Sequence, residues 1–182
     1  MKPLLFIVEK TKDILEIIYS YSNLDFLQNN EDFDTKNDLI DCLLNLVETY
    51  TICLPKQFEF EVDKLMEISL SLVAFDPNYD YNNQNQGGGY GGYDDYDYYV
   101  NDDDSSWKVR RSAVKVLVTF IKARLNLSKP TMSEIIHHLT KRLIEHSENV
   151  KVEIIICLGL YLKNFVVEEQ SVEGNTLILY LL

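Results

Sequence analysis

Cysteine is scarce and unpatterned in this sequence. Cys42, Cys53 and Cys157 are the only three in 182 residues, and none sits in a CxxC pair or at another metal-ligand spacing. That excludes a zinc ribbon and a disulfide framework. Each lies in an apolar helix-like run, which reads as reduced, mostly buried thiols in a cytoplasmic or nuclear protein. Basic charge is also short, with 17 Lys and Arg against 29 Asp and Glu and a net charge of -12. A field of that sign opposes attraction to phosphate backbones and anionic lipid, so neither nucleic acid nor membrane is expected as a partner. Apolar runs such as Ile154 to Leu162 stop well short of the roughly 20 residues that span a bilayer. The opening MKPLLFIVEK meets Glu9, Lys10, Lys12 and Asp13 with no small-residue cleavage site, so it is not read as a signal peptide.

The acidity is local. Residues 76–104 hold eight Asp, five of the seven Gly and seven of the twelve Tyr, and contain no Lys, Arg, Leu or Ile. Such a segment supplies no core, and 76–104 is expected to be a disordered acidic, Tyr- and Gly-rich insert. Elsewhere the apolar residues recur at helical spacing. Leu39, Leu43, Leu46, Val47 and Tyr50 mark a helix from near Thr35 to before Pro55. Phe58, Val62, Leu65, Met66, Ser69, Leu72 and Val73 mark a second that stops at Asp76-Pro77, where proline disfavours helix in the residue before it.

After the insert, Ser105 or Ser106 is placed to cap a third helix running to Leu125, with Val109, Ala113, Val116, Leu117 and Phe120 inward. A fourth opens at Pro130 or Thr131 and turns Met132, Ile135, Ile136, Leu139 and Leu143 inward. Ser147-Glu148-Asn149 breaks it, and Val150 to Phe165 resumes as a fifth. Leu4 to Tyr21 forms a leading amphipathic helix, and Thr176 to Leu182 a short final run. Helical pairs therefore begin near residues 36, 106 and 149. Discounting the insert, the period is about 40 residues, the spacing of HEAT-type solenoids. The expected fold is all-α, a HEAT-repeat (ARM-like) solenoid of three to four repeats. It divides into 1–75 (a partial unit and one hairpin), the insert 76–104, and 105–182 (one hairpin and a truncated unit). Because a repeat hides its apolar face only against neighbours, and LILYLL is no polar cap, the chain reads as a fragment of a longer solenoid.

Chemistry-bearing motifs are weak. Gly87, Gly89 and Gly92 satisfy GxGxxG, but without the flanking strand and helix that present N–H groups to a pyrophosphate. Asp102-Asp103-Asp104 lacks the ligand spacing of a calcium loop. His137 and His138 point about 100° apart on a helix, so they do not both grip one metal, and no Cys, Asp or Glu completes a site with them. No catalytic residue, cofactor, metal or small-molecule substrate is expected. The informative stretch is DDDSSWKVRR, Asp102 to Arg111. Either Trp107 packs on the neighbouring repeat while Lys108, Arg110 and Arg111 line an inner, solvent-facing rim, or that rim meets a protein partner, since Trp and Arg are enriched at interface hot spots.

The run Phe75-Asp76-Pro77-Asn78-Tyr79-Asp80-Tyr81, then an acidic insert, then Ser106-Trp107-Lys108-Val109-Arg110-Arg111-Ser112-Ala113, resembles the cullin-associated and neddylation-dissociated (CAND) proteins. These carry DPNYxY before an acidic loop and SWKVRRAA after it. Glu148-Asn149-Val150-Lys151 resembles the ENVK that opens the family's next repeat, and a weaker likeness runs through Ile14 to Asn23. The resemblance implies a solenoid from the N-terminal half of such a protein, which wraps unmodified cullin with its RING-box subunit and promotes substrate-receptor exchange. It departs from the family in its insert, where Asp is the sole acid among Asn, Gln, Gly and Tyr. A generic HEAT scaffold, and an enzyme using the glycine-rich loop, are the rival readings.

Overall fold

In a computed structural model, the described residues are 9–22, 33–76, 105–123, 125, 127 and 129–166. Residues 4–8 of the expected leading helix, the insert from 77 to 104 and the run from Thr176 lie outside them. The helices are α1 (Thr11–Tyr21), α2 (Phe33–Cys53), the single turn α3 (Pro55–Phe58), α4 (Val62–Val73), α5 (Ser106–Lys122), α6 (Lys129–Lys141) and α7 (Glu148–Tyr161). A 3-10 turn, Arg142–Ile144, follows α6, and a π-helical turn, Leu162–Val166, follows α7. Among the described residues there is no strand.

Local chemistry sets the breaks. Pro55 ends α2 by forcing Leu54 out of helical geometry, to φ -140° and ψ 57°, and then opens α3 at its first turn, where its missing N–H costs nothing. The expected serine cap of α5 does not form. Ser105 has helical dihedrals and makes no side-chain cap. Its hydroxyl instead donates to Asp34 at 2.5 Å and accepts from Asn37 at 2.9 Å, because α2 lies alongside and offers stronger partners.

The helices form two layers. α2, α5 and α7 lie side by side, with α5 in the middle. On the other side α1 abuts α2, α4 abuts α5, α6 abuts α7, and α4 meets α6. The same set of neighbours thus recurs from one helical pair to the next. The sense of packing follows from the polar partners of α2 and α5. Asp34 with Ser105, Asp38 with Lys108, Asp41 with Ser112, and Glu48 with Lys115 are 71, 70, 71 and 67 residues apart. Near-constant separation along the pair means parallel helices offset by one repeat. In the other layer Tyr19 of α1 and Glu61 at the start of α4 are 42 apart and joined by a 2.6 Å hydrogen bond from the phenol. Lys64 adds a cation–π contact, 3.5 Å above the Tyr19 ring. Stacking like helices in parallel, one repeat on, is the geometry of an α-solenoid.

One continuous core runs between the layers, from Leu15 and Ile18 through Ile40, Leu44, Leu65 and Leu72 to Leu117, Phe120, Ile135, Leu139 and Ile154. α5 is buried on nearly every side, Val109, Ala113, Val116 and Leu117 completely, because it has a helix on either flank and another layer beneath. Some sequence expectations are corrected. Leu143 is exposed, since the tightening of α6 into a 3-10 turn rotates Arg142 inward in its place. Leu39 and Leu46 lie on an outer edge of α2 and are exposed, while Ile40 and Leu44 take the inward positions. Cys42 and Cys53 are exposed; Cys157 alone is buried. An apolar neighbourhood in sequence does not say which side of a helix a residue occupies.

Candidate interaction surface

The residues singled out by sequence sit on the first turn and a half of α5, and a helix turns each to a different neighbour. Trp107 is half-buried and packs on the edge of the core. Lys108 reaches back to α2, where its Nζ lies 2.8 Å from Asp38 Oδ1; this hydrogen bond and charge hold its pKa above the ordinary lysine value. Arg111 points forward to α7 and pairs with Glu153 at 3.4 Å. Lys115, two turns on from Lys108, meets Glu48 at 3.0 Å. Together with Ser112, whose hydroxyl donates to Asp41, these form a polar ladder joining α5 to its neighbours. The basic cluster is therefore largely spent on repeat-to-repeat joints.

Arg110 is corrected from a rim residue to an interior one: it is 3 % exposed. Its Nε and Nη2 donate to the two carboxylate oxygens of Glu145 at 3.0 and 3.2 Å, and Nη1 donates to Ser106 Oγ at 2.7 Å and to the Phe75 carbonyl at 3.2 Å. Arg142 donates to the same Glu145 at 2.7 Å. Asp76 closes the group, 3.7 Å from Arg110 and 3.6 Å from Arg142. Two guanidinium and two carboxylate groups make a neutral, buried cluster, and fork-to-fork geometry is where arginine outperforms lysine. Burial pushes the Glu145 pKa up. The charge of Arg110, the Ser147 N–H and Arg142 outweigh it and leave the carboxyl below its ordinary value.

Asp76, the first residue of the insert as read from sequence, is thus built into the folded unit. The cluster fastens the point where the insert departs to both α5 and the turn after α6. Sequence reasoning missed Glu145, Arg142 and Asp76 because they come together across 35 and 66 residues of chain. The available signal was a paired Arg142 and Glu145 flanking an apolar helix. The acidic row Asp34, Asp38, Asp41 and Glu48 could also have been matched to α5 by the repeat offset.

Among the described residues, no group of three or more His, Cys, Asp and Glu is placed to hold a metal. No helix among them is long and apolar enough to cross a membrane. The glycine-rich stretch lies outside the described residues. What the fold does supply is an ordered stack of helical pairs with buried ionic joints. This is a helical-repeat protein of the HEAT type, a class that binds partners by extended shape and surface.

Comparison with known proteins adds the family. Cullin-associated NEDD8-dissociated protein 1 of Drosophila melanogaster is 31 % identical over 134 residues, 70 % of this chain and 11 % of the relative. Cullin-associated NEDD8-dissociated protein 2 of Mus musculus is 29 % identical over 124 residues, 65 % of this chain and 10 % of the relative. No protein-family model matches the chain. The chain is related to the CAND proteins, and it spans about a tenth of the length of the curated relatives it matches.

Proposed function

We propose that this chain is part of a non-enzymatic regulator of cullin-RING ubiquitin ligase assembly. In this reading it binds unneddylated cullin together with the RING-box subunit and contributes to substrate-receptor exchange. The observation that carries it is likeness, over 70 % of the chain, to a protein named for cullin association. The fold supports it. Repeats joined by one continuous apolar core, with Lys108–Asp38, Lys115–Glu48 and Arg111–Glu153 at the joints, make an extended surface, and recognition by such a surface needs shape and polar complementarity instead of a reacting group. Trp107, with Lys108 and Arg111 beside it, is the part of the matched motif that still reaches solvent and is the proposed contact. Its place of work is the cytoplasm, the nucleus or both, consistent with the absence of disulfides among its three cysteines.

The test is co-purification of the full-length protein from the same source with a cullin and RING-box pair, unmodified in one arm and neddylated in the other. Retention of the unmodified pair alone is expected. A protein that ignores both refutes the reading. In a second arm Trp107→Ala should weaken retention without unfolding the chain.

A further inference from the structure

We infer that Arg110 fastens both roots of the insert at one point, so that the segments before and after it form a single folded unit without relying on the chain that links them. Nη1 of Arg110 donates to the Phe75 carbonyl at 3.2 Å and to Ser106 Oγ at 2.7 Å. Phe75 is the last residue before the insert as read from sequence, and Ser106 is the second residue after it. The chain therefore leaves and re-enters the fold within reach of one nitrogen atom, although residues 77–104 lie between. Each root has further partners from the other side of the insert. Asp76, at the outgoing root, stands 3.7 Å from Arg110 and 3.6 Å from Arg142, both later in the chain. Ser105, at the returning root, donates to Asp34 at 2.5 Å and accepts from Asn37 at 2.9 Å, both on α2. Backbone bonds tie the roots to the adjoining helices: the Phe75 N–H donates to the Leu72 carbonyl at 3.2 Å, and the Lys108 N–H to the Ser105 carbonyl at 3.1 Å.

The contacts that cross the insert are extensive enough to stand in for the covalent link. α5 packs on both α2 and α4, and Val109, Ala113 and Leu117 share one core with Ile40, Leu44 and Leu72. Lys108 with Asp38, Ser112 with Asp41, and Lys115 with Glu48 add polar joints along the same seam. Linking two ends that are already held side by side changes little, because the cost of joining them grows only with the logarithm of the length between. The length and composition of 77–104 are thereby released from any part in setting the register of α5 on α2 and α4. Arginine suits the position because its fork divides the work: Nε and Nη2 engage Glu145 while Nη1 takes both roots, a spread that a lysine ammonium does not match. A cut or a change of length within the insert then leaves the helical pairs in place, and whatever 77–104 carries is displayed from a fixed point beside Trp107.

Cutting the chain tests the independence from the link. A recognition sequence for a site-specific protease is placed between Gly88 and Gly89 of the full-length protein, which is cleaved after folding. The protease should cut the native protein. The two pieces should then co-migrate in size-exclusion chromatography at about 1 µM, keep the parent's helical content by circular dichroism, and part only in denaturant. Pieces that separate without denaturant, or a native protein that resists the protease, overturn the inference. Amide exchange in the uncut protein tests Arg110 itself. Arg110→Lys should speed exchange in peptides covering both roots, Leu72–Asp76 and Ser105–Lys108, whereas Ser106→Ala, which removes one of the two contacts, should speed it at the returning root alone. Faster exchange at one root only, or at neither, in Arg110→Lys overturns the shared fastening. If that variant loses its helical content, Ser106→Ala decides, and exchange there that is unchanged, or faster at both roots, overturns it.

Discussion

Removing the charge of Glu145 while keeping its shape, by Glu145→Gln, perturbs the buried cluster at its centre. Glu145 takes hydrogen bonds from Arg110 at 3.0 and 3.2 Å, from Arg142 at 2.7 Å and from the Ser147 N–H at 3.1 Å. Without its charge, the two buried guanidinium groups lose their closest carboxylate among the described residues, and Asp76 stands back at 3.6 to 3.7 Å. Breaking a buried ion pair by removing one partner costs about 3–5 kcal/mol, because the remaining charge is left without compensation. For a chain of this size that corresponds to a fall in Tm of roughly 6–20 °C. The carboxyl's folded pKa lies below its ordinary value of 4.5. Its contribution is therefore full at neutral pH and is lost as pH falls through the folded value, while the Gln variant has no such term. Urea denaturation at pH 7 and at a series of pH values below 4.5 should show a large gap between parent and variant that narrows on acidification. A gap under about 1 kcal/mol at pH 7 would refute the cluster as an anchor. A further discriminant is a double replacement, Arg110→Met with Glu145→Met, which should cost less than the two single changes added together, since groups in one network are coupled.

Other expectations bear on the joints and the core. Lys108→Ala removes a solvent-exposed pair with Asp38 and should cost less than about 1 kcal/mol in denaturant unfolding, an effect that salt reduces further. Ile154→Ala should destabilise by about 2–5 kcal/mol through a core cavity, whereas Ile155→Ala, one residue on, should change stability by no more than about 0.5 kcal/mol; thermal melts of the pair check the rotation of α7. In the native chain a maleimide should label Cys42 and Cys53 and leave Cys157 untouched, because burial and Glu153 push its thiol up to about 12; mass spectrometry counting three labels without denaturant would contradict its burial.

Helix content and repeat order were legible because they follow from local rules. Apolar spacing located six helical segments, the leading one included. Pro55 marked a break, and starts near 36, 106 and 149 anticipated parallel stacking at separations of 70 and 42 residues, as in Lys108–Asp38 and Arg111–Glu153. The SWKVRR motif was visible as a family signature, but not its division of labour. Lys108 turns back, Arg111 forward and Arg110 inward, and the difference between one position and the next is a rotation of about 100° whose meaning depends on where α2, α7 and the turn after α6 lie.

Amino-acid order alone therefore determined that this chain makes paired helices at a period near 40, because amphipathic spacing and helix breakers act over a few residues. Tertiary structure alone decided that Arg110 is buried against Glu145, that Asp76 belongs to the folded unit, and that Cys42, Leu39 and Leu46 face outward. Those outcomes depend on which partners cross tens of residues of chain to share a desolvated site, and the energy of such a meeting belongs to the pair, not to either sequence position.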